Sequence, residues 1–237
     1  MAVFAAILAL LVLFPFIDEA LGWRLMGALL PIGIYALLAM GLNIVVGYAG
    51  LLDLGYAAFF AIGAYTIGFL TSPGSVMVRN GWIPPFFQNF WPALVVSFVV
   101  AAIFGVLLGA PTLRLRGDYL AIVTLGFGEI VPNFFLNATP LTNGTAGMNP
   151  IAKPPSLGPI SFGQTDQRNW YWLILAVGLF SLFLITRLYG SRLGRSWQAI
   201  REDELAASAM GINLVRTKLW AFALGASFSG FAGSLFS

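Results

Sequence analysis

The chain has 237 residues, 59% of them hydrophobic and only 9% charged, with a formal net charge of +3. A soluble domain carries roughly 25% charged residues, so this composition places the chain in a membrane, and it leaves no clustered basic face for nucleic acid. Cysteine and histidine are absent, which excludes disulfides, thiol nucleophiles, imidazole bases and the usual zinc ligands; neither a metal nor a cofactor is expected.

Seven apolar segments are predicted, at about Val3–Ile17, Leu25–Tyr48, Leu51–Thr71, Pro92–Ala110, Tyr119–Leu136, Trp170–Thr186 and Leu219–Ser237. The fold class is therefore all-α: a polytopic helical membrane protein with broken or re-entrant pieces, one transmembrane domain over 1–237. A hydrocarbon core of about 30 Å needs ~20 helical residues, so the short Val3–Ile17 and Tyr119–Leu136 are expected to tilt, break or lie partly at the interface. The first segment has no positive n-region and no small-x-small cleavage site, and reads as a span rather than a signal peptide.

Glycines punctuate Met40–Thr71 at Gly41, Gly47, Gly50, Gly55, Gly63 and Gly68. Small residues let helices approach backbone to backbone. A second reading makes Asn43–Gly55 a helix break beside a translocation path, where freed carbonyls line a cavity. Ionisable groups inside spans cost about 2.5–3.5 kcal/mol on insertion scales, so Asp53 and Glu129 need a reason. Asp53 is expected to cap a helix from Leu54, or else to face the path. Glu129 precedes Pro132 by three residues; this predicts a broken helix whose carboxylate meets a substrate ammonium or a partner helix. Asn43 and Thr124 read as path-facing or as interhelical hydrogen-bond donors. The turn with Arg114, Arg116 and Asp118 reads as basic anchoring.

The segment 187–218 concentrates charge, with six of the twelve Lys/Arg residues and three of the nine acids. Its pattern predicts two short surface helices. The first carries Trp197 and Ile200, then Arg201. Asp203 caps the second, Glu204–Met210, which presents Ala206, Ala207 and Ala209 and stops at Gly211. One reading lays this loop on anionic headgroups of membrane lipid; the other makes it a docking knob for a soluble partner. With the N-terminus in the cytoplasm and every segment crossing, the inner loops hold eight basic residues and the outer loops four, so the charge bias puts the knob inside. In the last segment Gly225, Ser229 and Gly233 recur every four residues as a packing stripe. No Walker A, H-E-x-x-H or G-x-S-x-G pattern occurs in the sequence, so any catalytic machinery resides on another polypeptide.

Glu204-Leu205-Ala206-Ala207 followed by Met210-Gly211-Ile212 resembles the EAA loop of ABC importer permeases. The longer stretch GRSWQAIREDELAASAMGINLVRTKLWAFALGASFSGFAGSLFS resembles LivM-type branched-chain amino acid permeases, as do GLNIVVGYAGLLDLGYAAFFAIGAYT and RLRGDYLAIVTLGFGEIVPNFFLN with LTNGTAGM. Many relatives carry a small polar residue where this chain has Asp53. The resemblance implies a permease of an inner-membrane ABC importer for branched-chain or related amino acids. It implies a LivH-like second permease, two ATPase subunits and an external substrate-binding protein as partners. Trp197, Arg201, Glu204, Ala206, Ala207, Met210 and Gly211 would couple to the ATPase. Family members continue with further helices beyond the position of Ser237, so the resemblance also implies missing C-terminal helices. The reading from another class is a self-sufficient secondary carrier or channel, with Glu129 as its coupling carboxylate.

Overall fold

The computed structural model describes residues 2–22, 25–112, 118–155, 162–163 and 166–237, with the side chains of 2–5 and 118 excepted. Arg114, Arg116 and the Asp118 side chain lie outside the described residues. The regular elements are all helical: α1 (Ala2–Leu21), α2 (Met26–Leu42), α3 (Ala57–Thr71), α4 (Val76–Arg79), α5 (Phe90–Thr112), α6 (Asp118–Asn137), α7 (Thr139–Thr142), α8 (Gln167–Tyr189), α9 (Arg192–Glu202), α10 (Glu204–Ala209) and α11 (Leu214–Phe236). Among the described residues, 6 helical stretches are long and apolar enough to cross a membrane: Met26–Tyr48, Ala57–Arg79, Phe90–Thr112, Tyr119–Asn137, Gln167–Tyr189 and Leu214–Phe236. The 20-residue α1 is a further apolar helix outside that set.

α11 is the axis of the molecule. It packs against α5, α3 and α2, and its run Phe222–Gly230 is almost wholly buried. An all-round surface of Gly, Ala and Ser makes this possible, because helices can close on it from several sides. α8 lies outside α2, and α1 outside α8, where the Tyr171 hydroxyl donates to the Leu11 carbonyl at 2.7 Å. α6 rests on α3, with the Tyr65 and Phe135 rings stacked at 4.1 Å.

Two segments differ from the pattern read in sequence. Helix α3 begins at Ala57, not near Leu51. α2 runs on instead as a π-helical turn, Asn43–Tyr48, and ends where Gly50 takes φ +66°. Gly50 there lets Leu51 N–H return to the Val45 carbonyl at 3.1 Å, and Leu51–Tyr56 crosses to α3 as non-helical chain. The second difference is Pro132, which sits inside a continuous α6 and does not break it. A spanning helix tolerates the lost N–H where local adjustment or neighbouring groups re-satisfy the freed backbone carbonyl.

Candidate functional site

The charged segment folds as a bracket against the membrane helices. Ser191 Oγ accepts from Gly194 N–H at 3.2 Å and starts α9. Trp197 is 0% exposed; its indole N–H donates to the Thr217 carbonyl at 2.8 Å and fixes α9 to the first turn of α11. Arg201 donates to the Gly47 carbonyl in the π-helical turn, and its stem lies close over Gly50. A cation here satisfies a C-terminal helix carbonyl that has no partner in its own helix.

Asp203 Oδ1 then accepts from the Leu205 and Ala206 amides at 2.7 and 3.1 Å, capping α10. Lys218 Nζ bonds Glu204 Oε1 at 2.5 Å, tying α10 to α11. Gly211, at φ +85°, ends the piece, and Ile212 N–H returns to the Ala207 carbonyl at 3.1 Å. The result is a short, fixed helix with Ala207 turned inward. Leu205, 72% exposed, and Met210, 84% exposed, point away from the protein.

The seven residues read as coupling residues thus divide. Trp197 and Ala207 are scaffold, buried under the bracket. Arg201 and Glu204 link it to α2 and α11. Ala206, Met210 and Gly211 lie on the outer surface. Leu205, not among these seven, lies on the same outer surface as Met210.

The residues read as path-facing are not brought together. Asn43 lies in the π-helical turn with its Oδ1 against Gly47. Thr124 is buried on α6, where its hydroxyl donates to the Ala121 carbonyl and accepts from Leu54 N–H at 3.0 Å. Asp53 does not cap a helix from Leu54, because none starts there. Its Oδ1 accepts from Gly55 N–H at 2.9 Å in a local turn, and its Oδ2 is buried with no hydrogen-bond partner among the described residues. Thr112, Thr124, Phe59 and Phe222 surround it in a cavity of about 10 Å³. Burial pushes the Asp53 carboxyl up to about 6, against the smaller opposing effect of the Gly55 amide. Glu129 is exposed, on the side of α6 turned away from α3.

The α11 stripe faces its neighbours directly. The Tyr56 hydroxyl donates to the Gly225 carbonyl at 2.6 Å, and Ser229 Oγ bonds the Tyr56 carbonyl at 3.3 Å. A Cβ on Gly233 would run into the Phe60 carbonyl.

Comparison with known proteins agrees with this architecture. Residues 24–237 match the family described as branched-chain amino acid transport system / permease component. The chain is 43% identical over 224 residues to the high-affinity branched-chain amino acid transport system permease protein LivM of Salmonella typhimurium, covering 86% of this chain and 50% of that protein. It is 26% identical over 232 residues to a probable LivM of Methanocaldococcus jannaschii, covering 88% of this chain and 66% of that one. It is also 24% identical over 212 residues to the permease protein LivH of Escherichia coli, covering 85% of this chain and 65% of that one. The chain spans about half the length of the LivM relatives of Salmonella typhimurium and Escherichia coli. No solved structure matches it. A helical membrane protein matched over nearly its whole length in this way belongs to the branched-chain amino acid transport system / permease component family.

Proposed function

We propose that this chain is a permease subunit of an ABC importer in the inner membrane, with its N-terminus in the cytoplasm, passing branched-chain or related small amino acids. Its partners are a LivH-like second permease, two ATPase subunits and an external substrate-binding protein. ATP hydrolysis resides on the ATPase subunits. The observation that carries the reading is α10: a capped helix, held at both flanks, that offers Leu205 and Met210 to something outside the chain. The 43% identity to LivM supports the substrate class.

Transport in this reading needs the ATP-bound and ATP-free ATPase to hold α10 differently, since a knob gripped equally in both states shifts nothing. Displacement of α10 reaches the core helix α11 through Glu204–Lys218 and Trp197–Thr217. It reaches the end of α2 through Arg201 and Gly47. The small-residue stripe Gly225, Ser229 and Gly233 lets α11 slide on its neighbours. Of Asn43, Asp53, Thr124 and Glu129, none is assigned to the path: Asn43 packs on Gly47, Thr124 ties the connection before α3 to α6 with Asp53 enclosed beside it, and Glu129 faces outward from α6.

The test is co-purification in mild detergent with the second permease and the ATPase subunits, followed by ATP-driven amino-acid uptake in proteoliposomes. Leu205→Asp with Met210→Asp is expected to lose the ATPase while leaving membrane insertion intact. Undiminished ATPase recovery with that double variant overturns the docking role, and uptake by this chain without any ATPase would make it a carrier.

A further inference from the structure

The side of α6 that faces away from the rest of the protein is polar where a lipid-facing helix is not. At about 100° per residue, Gly126, Glu129, Asn133 and Asn137 fall on one strip, opposite the buried Leu120 and Thr124. Glu129, Asn133 and Asn137 are exposed, and a Cβ on Gly126 would meet nothing within 4 Å. The asparagine amides are tied along their own helix: Asn133 Nδ2 donates to the Glu129 carbonyl and Asn137 Nδ2 to the Asn133 carbonyl, each at 2.8 Å. The Glu129 carboxylate and the Asn133 Oδ1 have no partner among the described residues. Asn133 and Asn137 line an open groove of about 470 Å³ together with Ile130, Phe134 and Ala138.

α5 of the same protein shows the contrast. Its outward face is Val95, Val99, Ile103, Val106 and Leu107, all apolar, as contact with acyl chains requires. Glu129 sits near the middle of the 20-residue α6, too far from either end for its short side chain to reach headgroups. A carboxylate and two amides at that depth have to be covered.

We propose that the Gly126–Glu129–Asn133–Asn137 strip is the seam against a second, non-identical transmembrane permease chain, which supplies a cation or N–H and O–H donors to Glu129. This rests on the importer reading above, in which two permeases stand side by side. The charge argues for the non-identical partner. A pair of identical chains about a two-fold axis presents the same patch on both sides, which sets Glu129 towards Glu129 out of water, where like charges repel strongly. Asn133 and Asn137 then bond across the seam through their free oxygens.

The experiment uses membranes holding this chain and a LivH-type permease without ATPase subunits. A photo-crosslinking benzoylphenylalanine is placed at Asn133 or, as control, at Ile103. In parallel, a nitroxide is attached at Gly126→Cys, whose Cβ position is open, and at Ile103→Cys, the native chain having no cysteine. Position 133 is expected to crosslink to the second permease and position 103 not to. Oxygen accessibility at 126 is expected to fall several-fold below that at 103. Lipid-like accessibility at 126, crosslinks confined to a second copy of this chain, or failure of the two permeases to associate overturns the seam. A crosslinked pair that binds no ATPase subunit when these are added afterwards would instead overturn the importer reading and leave the seam standing.

Discussion

Asp53 is a carboxyl whose surroundings favour its neutral form. One oxygen takes the Gly55 amide and the other faces Phe59, Phe222 and two threonines. Its pKa rises from 3.8 to about 6 on burial, so the folded protein holds a proton more tightly than the unfolded chain does. Stability from this group is complete below about pH 4 and is lost as pH rises through 6. Asp53→Asn keeps an oxygen for the Gly55 amide and removes the charge. It is expected to stabilise the protein by about 2–3 kcal/mol above pH 7 and to flatten the pH dependence of thermal melting in detergent between pH 4 and 7. Unchanged melting across that range would contradict it. Gly233 answers to sterics alone. A Cβ there meets the Phe60 carbonyl, which is backbone and cannot rotate aside. Gly233→Val is expected to cost about 3 kcal/mol or more, read as a lower melting temperature, whereas Gly178→Ala, with open space around it, is expected to change little.

Among the elements, the π-helical turn and the bracket beneath it act as one unit. Wide turns leave carbonyls that point off the helix, and Gly47 presents one to Arg201. Loss of that cation is expected to free the end of α2. Arg201→Met should raise amide exchange across Asn43–Leu51 while α11 stays protected. Because Arg201 is exposed, the effect on overall stability is expected to be only about 1 kcal/mol. If the chain works in an importer as proposed, the same variant is expected to keep ATPase binding and to lower the amount of amino acid moved per ATP. Arg201→Lys should restore part of it, since a point charge still reaches one carbonyl. A parallel loss of ATPase binding would instead show that Arg201 only holds the bracket's shape.

At the scale of the whole molecule, Trp82 and Met210 lie in connections separated by α5, α6 and α8, so three crossings put them on opposite faces. With a chain free of cysteine, single replacements at these positions report the topology directly. An impermeant thiol reagent outside intact cells is expected to label Trp82→Cys and to spare Met210→Cys until the membrane is opened. Equal labelling of both would overturn the odd number of crossings, and reversed labelling the cytoplasmic N-terminus.

Much of this arrangement was legible in the sequence because it depends on local chemistry. Apolar runs of span length, the Asp203 cap, the Gly211 stop and the charged bracket are all read within a few residues of one another, where hydropathy and backbone geometry act. The small-residue periodicity at Gly225, Ser229 and Gly233 announced close packing for the same reason. Which partner each glycine meets, however, is a matter of contacts far apart in the chain, as between Gly41 and Phe228, and Ser229 bonds Tyr56 across 173 residues. Only the tertiary structure decided that α11 is the core helix, that Trp197 and Ala207 face inward and that Leu205 faces out. The same holds for Asp53, which sits beside a local turn rather than at a helix start, and for α6, whose Glu129 faces away from the protein. A sequence states how polar a helix is around its circumference; which side is covered depends on the neighbours that fold against it, and in a membrane the apolar environment gives no further clue, since lipid and core are alike in polarity.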